Sequence, residues 1–183
     1  NPELGGLTMD TYRLRQSQFE RAERQALLDT EYFIWRAEDL YGYPHFICDT
    51  GGSICEWVDP ADPEDEILTA LSQQALMVWI RGSEAHTEEL VRRFDRAPKP
   101  MAYQPAFLED AWARYLEEFD LTEQQVDPDT FIRWTYAQAL AHRQPLYEAM
   151  ADKWGVTVEA TDMAQVRDQS DFIELIAAAL PQG

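Results

Sequence analysis

Three short apolar runs set between stretches of helical period constrain this chain most. They are HFICD at residues 45–49, ALMVWIRG at 75–82 and GVTVEA at 155–160. The middle run is almost continuously apolar, as strands buried on both faces of a parallel sheet are. Strands separated by helices must pair in parallel through crossovers, so the order predicts an open α/β sheet. Three strands are few for such a sheet.

The helices come from apolar spacing and end signals. TMDTYRLRQSQFERAERQALLD (8–29) has Thr8 or Asp10 as its cap, and EYFIWRAEDLYG (31–42) stops at Gly42. DPADPEDE is an acidic turn leading into PEDEILTALSQQ (63–74), with Pro63 suited to a first turn. SEAHTEELVRRF (83–94) is capped by Ser83, and residues 94–105, with three prolines, form a loop. AFLEDAWARYLEEF (106–119) and DPDTFIRWTYAQALAH (127–142) follow, the second opened by Asp127 and Pro128. Pro145 predicts a break and a new helix over 144–154, and residues 163–180 close the chain as one or two helices. No internal repeat divides the 183 residues, so a single domain is expected, large enough for a sizeable core.

The formal net charge is −19, and only Lys99 and Lys153 among the 15 basic residues are lysines. Such a surface repels nucleic-acid backbones and anionic membranes, so neither is an expected partner. It leaves room for a basic protein partner. No run approaches the ~18 apolar residues of a membrane span, and NPELGGLTMD lacks the basic and apolar regions of a secretion signal. Cys48 and Cys55 fit no zinc spacing and read as reduced thiols, which favours a cytoplasmic setting. His45, His86 and His142 are too scattered for a metal pattern, and GGSIC lacks the elbow of a serine nucleophile.

Four segments bear a resemblance. FICDTGGS ends an apolar strand on Asp49 and a glycine-bearing turn; ALMVWIRGSEAHTEELVRRF is a strand followed by a helix; RRFDRAPKP places arginines beside a proline-rich loop; HRQPLYEAMADKWGVTVEA carries Arg-x-Pro-Leu-Tyr before a last strand. Together, over roughly 44–180, they resemble the second half of P-loop kinases of the shikimate-kinase and nucleotide-kinase type. YGYPHFICDTGGSICE and GSEAHTEELVRRFDRAPKPM are also similar to bacterial proteins described as ATPases. The resemblance implies a partial three-layer fold in which 1–43 are N-terminal helices and 44–183 the second half of the nucleotide-binding domain. It implies ATP and Mg²⁺ as cofactors and an acceptor of unnamed chemistry. Asp49 would help hold Mg²⁺, and Thr50, Gly51 and Gly52 would let backbone approach a ligand. Arg96 and then Arg93 would close over transferring phosphates, and Arg143 would face the acceptor. Each has a plain alternative: a turn at 49–52, salt bridges to Glu88, Glu89 and Asp95, and a surface arginine at a helix end.

The departures from that pattern are as informative. No Gly-x-x-x-x-Gly-Lys-Ser/Thr occurs, neither lysine follows a glycine, and the triple glycine of shikimate kinases is only Gly51-Gly52. The first strand, the phosphate loop and the second strand are therefore expected upstream, on about a hundred further residues, and the 183 residues alone should bind ATP feebly or not at all. The reading depends on residues 46–49 and 76–80 lying side by side and pointing the same way. The rival expectation is an acidic, non-enzymatic interaction protein: an inhibitor, an immunity protein or a polyanion mimic.

Overall fold

The structure, a computed structural model, describes residues 1–99 and 101–181. Pro100, in the expected lid loop, lies outside the described residues.

Helices dominate. Thr8 accepts a hydrogen bond from the Thr11 N–H and starts α1 (Met9–Leu28); α2 (Thr30–Tyr41) follows at once and ends on left-handed Gly42. Both match the expected positions. The third helix, α3 (Glu66–Gln74), starts later than expected because Asp65 takes the cap, accepting from the Leu68 N–H at 2.9 Å. Pro63 is thus left in the preceding turn. A capping box of Ser83 and His86 starts α4 (Glu84–Arg96), and Pro105 is the first residue of α5 (Pro105–Glu118).

Asp127 caps α6 (Pro128–Trp154) as expected, but the helix runs unbroken through Pro145. A proline removes one N–H bond and crowds the preceding turn. Here packing on both sides of it prevails. Phe131 and Ala139 sit in one core cluster with Tyr103, Leu108, Ala111 and Tyr115, while Met150 sits in a second with Leu27, Cys55, Trp57, Ile67 and Leu68. At ~1.5 Å per residue, α6 is the rod on which both clusters are built.

The chain then enters a strand directly. β1 (Met77–Arg81) and β2 (Gly155–Glu159) pair in parallel, Met77 opposite Gly155 and Arg81 opposite Glu159. Gly155 is required at that register, since a Cβ there would stand 2.2 Å from the Met77 carbonyl oxygen. Arg81 and Glu159 close the far end as an ion pair. α6 packs against both strands, α8 (Gln169–Ala179) against β2, and the single turn α7 (Ala160–Met163) touches both strands. The result is an α/β arrangement with one small parallel sheet.

Three expectations fail, and the partial three-layer, P-loop-kinase-like fold they implied is not supported. Among the described residues the sheet has two strands, not three, because residues 45–49 form no strand. Ile47 is 82% exposed and Cys48 is exposed as well. A strand needs a neighbour for its backbone groups, and among the described residues no strand pairs with this segment. Among the described residues the expected pairing of 46–49 with 76–80 is absent, and β1 pairs with β2 alone. Nor is β1 buried like a central strand. Met77, Val78 and Trp79 are half-buried, and Ile80 is 49% exposed. Among the described residues no helix is long and apolar enough to cross a membrane.

Candidate functional site

The turn at 49–53 is built locally. Asp49 accepts a hydrogen bond from the Gly51 N–H at 2.9 Å, and Gly51 adopts φ 63°, a left-handed conformation that favours glycine. Thr50 Oγ1 donates to the Gly51 carbonyl at 3.3 Å. Ser53 then donates to Glu23 of α1, which also accepts from the Trp57 indole, so the turn is held against α1. A single 3-10 turn, Ile54–Glu56, carries the chain into the core.

Across from it, Arg143 and Tyr147 project from one face of α6, being four residues apart. Tyr147 donates its hydroxyl proton to the Gly52 carbonyl at 2.7 Å, and the Cys55 thiol donates to the same oxygen at 3.3 Å. A Cβ on Gly52 would lie 2.8 Å from the Tyr147 oxygen and 4.0 Å from Arg143 Nη1. Two of the sequence-predicted residues, Gly52 and Arg143, are thereby brought together from positions far apart in the chain.

Arg143 is not the surface residue of the plain alternative. It is 3% exposed; its Nε donates to Glu56 at 2.5 Å and its Nη2 to the Ala102 carbonyl at 2.7 Å. The other Glu56 oxygen accepts from the Gln104 N–H at 2.7 Å. Gln16 completes the clamp on this segment, donating to the Met101 carbonyl and accepting from the Tyr103 N–H. Burial works against the Arg143 charge, but the Glu56 carboxylate outweighs it and the guanidinium pKa is raised. Burial pushes the Cys55 thiol from 9.0 up to about 11, aided by Glu56, and raises the Tyr147 phenol. All three groups therefore keep their protons at neutral pH.

The remaining predicted residues lie elsewhere. Arg93 donates to Glu89 at 2.8 Å, and Arg92 pairs with the same carboxylate. Those hydrogen bonds hold Glu89 below its ordinary carboxylate value. Arg96, the last residue of the same helix, and Lys99 beyond it are both exposed. Among the described residues no hydrogen bond or ion pair joins Arg93 or Arg96 to the 49–52 turn. Asp49 offers one exposed carboxylate, already engaged by Gly51, and among the described residues no group of three His, Cys, Asp or Glu could hold a metal ion. These donors alone do not make a Mg²⁺ site.

Sequence reading missed Glu56, although the signal was present. It is a lone acid inside the apolar run ICEWV, and a carboxylate there must find a cation or a donor when buried. Gln16 and Gln104 gave no signal, because a polar residue on a helix face or before a proline is ordinary. Comparison with protein-family models, with curated proteins and with solved structures found no match for the chain.

Proposed function

We propose that this chain is the acceptor-side portion of a P-loop ATPase or small-molecule kinase whose phosphate-binding loop is carried by preceding sequence. The observation that carries the reading is the meeting of Gly52 with Arg143 and Tyr147. The resemblance implies a glycine turn and an Arg-x-Pro-Leu-Tyr arginine at one site, and nothing in their spacing requires them to meet. Arg143, oriented by Glu56 and the Ala102 carbonyl, keeps Nη1 on the side of the turn. A fixed guanidinium beside glycine backbone suits a carboxylate or phosphate on an acceptor.

The lost pairing between 46–49 and β1 removes one support. It counts directly against this reading, which depended on those two segments lying side by side; the reading survives only if a strand supplied upstream lies between them, as the first strand of a doubly wound sheet does. A central strand supplied upstream would separate those two segments. The half-exposure of an apolar β1 supports such a neighbour. In this reading ATP and Mg²⁺ belong chiefly to the upstream portion, Asp49 adds one carboxylate, and Arg93 and Arg96 reach the phosphates only if α4 moves.

The test uses the polypeptide of the complete reading frame. It should bind ATP in a Mg²⁺-dependent way and hydrolyse it or transfer its phosphoryl group, while residues 1–183 alone should not bind ATP tightly. Arg143→Lys, which keeps the charge and loses the fork, should weaken acceptor use more than ATP binding. A complete protein without ATP binding, or tight binding by the 183 residues alone, overturns the proposal. The charge of −19 favours a second reading, an acidic interaction protein; a frame starting at this chain and a nanomolar basic protein partner would support it.

A further inference from the structure

Residues 41–49 are exposed without interruption, nine in a row. The stretch hangs between two fixed points. Gly42 ends α2 with its N–H on the Glu38 carbonyl, and the bond from the Gly51 N–H to Asp49 opens the turn. Between them, among the described residues, 43–48 make no hydrogen bond. An endopeptidase takes its substrate as an extended strand and pairs with the backbone groups around the scissile bond. A segment that offers those groups free and exposed is cut without any unfolding.

Side chains select the bond. No Lys or Arg lies between Arg36 and Arg81, so a protease of basic preference finds no residue to grip here. Tyr43 is followed by Pro44, which has a fixed φ and no N–H on the leaving side. Phe46 is followed by Ile47, and both are exposed. The exposed rings of Phe19, Tyr32, Phe33 and Trp35 lie inside α1 and α2, whose backbone must unwind before a protease can pair with it. Phe119 lies in the hydrogen-bonded end of α5. In the proline-rich connection Tyr103 is 1% exposed and its N–H is held by Gln16.

We infer that the Phe46–Ile47 peptide bond is a processing site for an endopeptidase of aromatic preference, and that the product is a two-chain protein. This is independent of the function proposed above. Hydrolysis adds one water across the bond and leaves a carboxylate on Phe46 and an ammonium on Ile47. The two pieces stay joined through α1. Leu27 shares a core cluster with Cys55, Trp57 and Ile67. Arg24 donates to the Trp57 carbonyl at 2.7 Å, and Arg13 pairs with Glu109. The hydrogen bonds from Tyr147 to Gly52 and from Ser53 to Glu23 do not run through the cut bond, so the turn keeps its place.

Limited digestion with chymotrypsin tests this on the 183-residue chain and on the polypeptide of the complete reading frame. In both, the first cut within residues 1–183 should fall at Phe46–Ile47, read by mass spectrometry. The nicked short chain should elute from gel filtration as one species and part only in denaturant. Ile47→Pro, at an exposed position whose N–H is unbonded, should leave the melting temperature unaltered and slow the loss of intact chain several-fold. Phe46→Ser should slow it likewise, by removing the ring that fills the protease pocket. The cutting rate should not respond to low urea, because no unfolding precedes the cut. A first cut elsewhere in 1–183, in either polypeptide, overturns the site. So does a rate that climbs with urea in step with global unfolding. Pieces that part without denaturant overturn the two-chain product. None of these outcomes bears on ATP binding, so the proposed function stands or falls separately.

Discussion

At the residue scale, Gly52 and Arg143 separate local from tertiary causes. Gly52→Ala puts a methyl 2.8 Å from the Tyr147 oxygen and 4.0 Å from Arg143 Nη1. The clash is with the tip of a side chain. We expect a loss of about 1–3 kcal/mol in wild-type background and a much smaller loss with Tyr147→Phe, read from urea unfolding as a double-mutant cycle. Equal losses in both backgrounds would refute the stated contact. The buried pair is a sharper case. Arg143→Met leaves Glu56 buried with only the Gln104 N–H, and breaking such a pair from one side costs about 3–5 kcal/mol. Arg143→Met together with Glu56→Leu removes both charges and should recover most of that loss, though Gln104 then lacks its acceptor. The turn chemistry of Asp49, Gly51 and Gly52 was legible from sequence because it is local. The burial of Arg143 was not, since its partners lie on the Ile54–Glu56 turn and on residues 102–104, which only the tertiary fold brings near.

At the element scale, helices were legible and strands less so, for a physical reason. A helix satisfies its backbone within itself, so Thr8, Ser83 and Asp127 could be read as starts and Gly42 as a stop. A strand is satisfied only by a neighbour. ALMVWIRG and GVTVEA found each other, whereas HFICD, with equally good strand residues, found none. Pro145 misled in the opposite sense: the contacts of α6 with both core clusters outweigh one missing N–H. The weak point of the sheet is Gly155. Gly155→Ala would drive a methyl to 2.2 Å from the backbone oxygen of Met77, which cannot swing away as a side-chain tip can. We expect it to cost about 3 kcal/mol or more and to loosen the β1–β2 ladder selectively, measured as faster amide exchange at 77–81 and 155–159 than in α5.

At the scale of the whole molecule, charge and buried phenols set opposite limits. A net charge of −19 makes the folded chain repel itself, so its urea midpoint at neutral pH should rise as salt shortens the Debye length to about 8 Å near 0.15 M. If surface ion pairs such as Arg13–Glu109 dominated instead, salt would lower it. The alkaline limb follows from groups whose folded pKa is raised by burial. Cys55 moves from 9.0 to about 11 and Tyr12 from 10.0 to about 12, with Tyr103 and Tyr147 also raised. An acid held neutral in the fold ionises more readily when unfolded. Its contribution is therefore whole below the unfolded value and is lost as pH climbs through the folded one. Stability should hold to about pH 9 and then fall, each released group contributing up to about 1.4 kcal/mol per pH unit. Tyrosinate absorbance from the buried set should appear together with loss of helical circular dichroism. In a variant with the exposed Tyr32, Tyr41 and Tyr43 replaced by Phe, tyrosinate absorbance that rises while the helices stay intact would show that the remaining phenols, Tyr103 and Tyr147 among them, are open to water, and the tight contact of Tyr147 with Gly52 would fall with them.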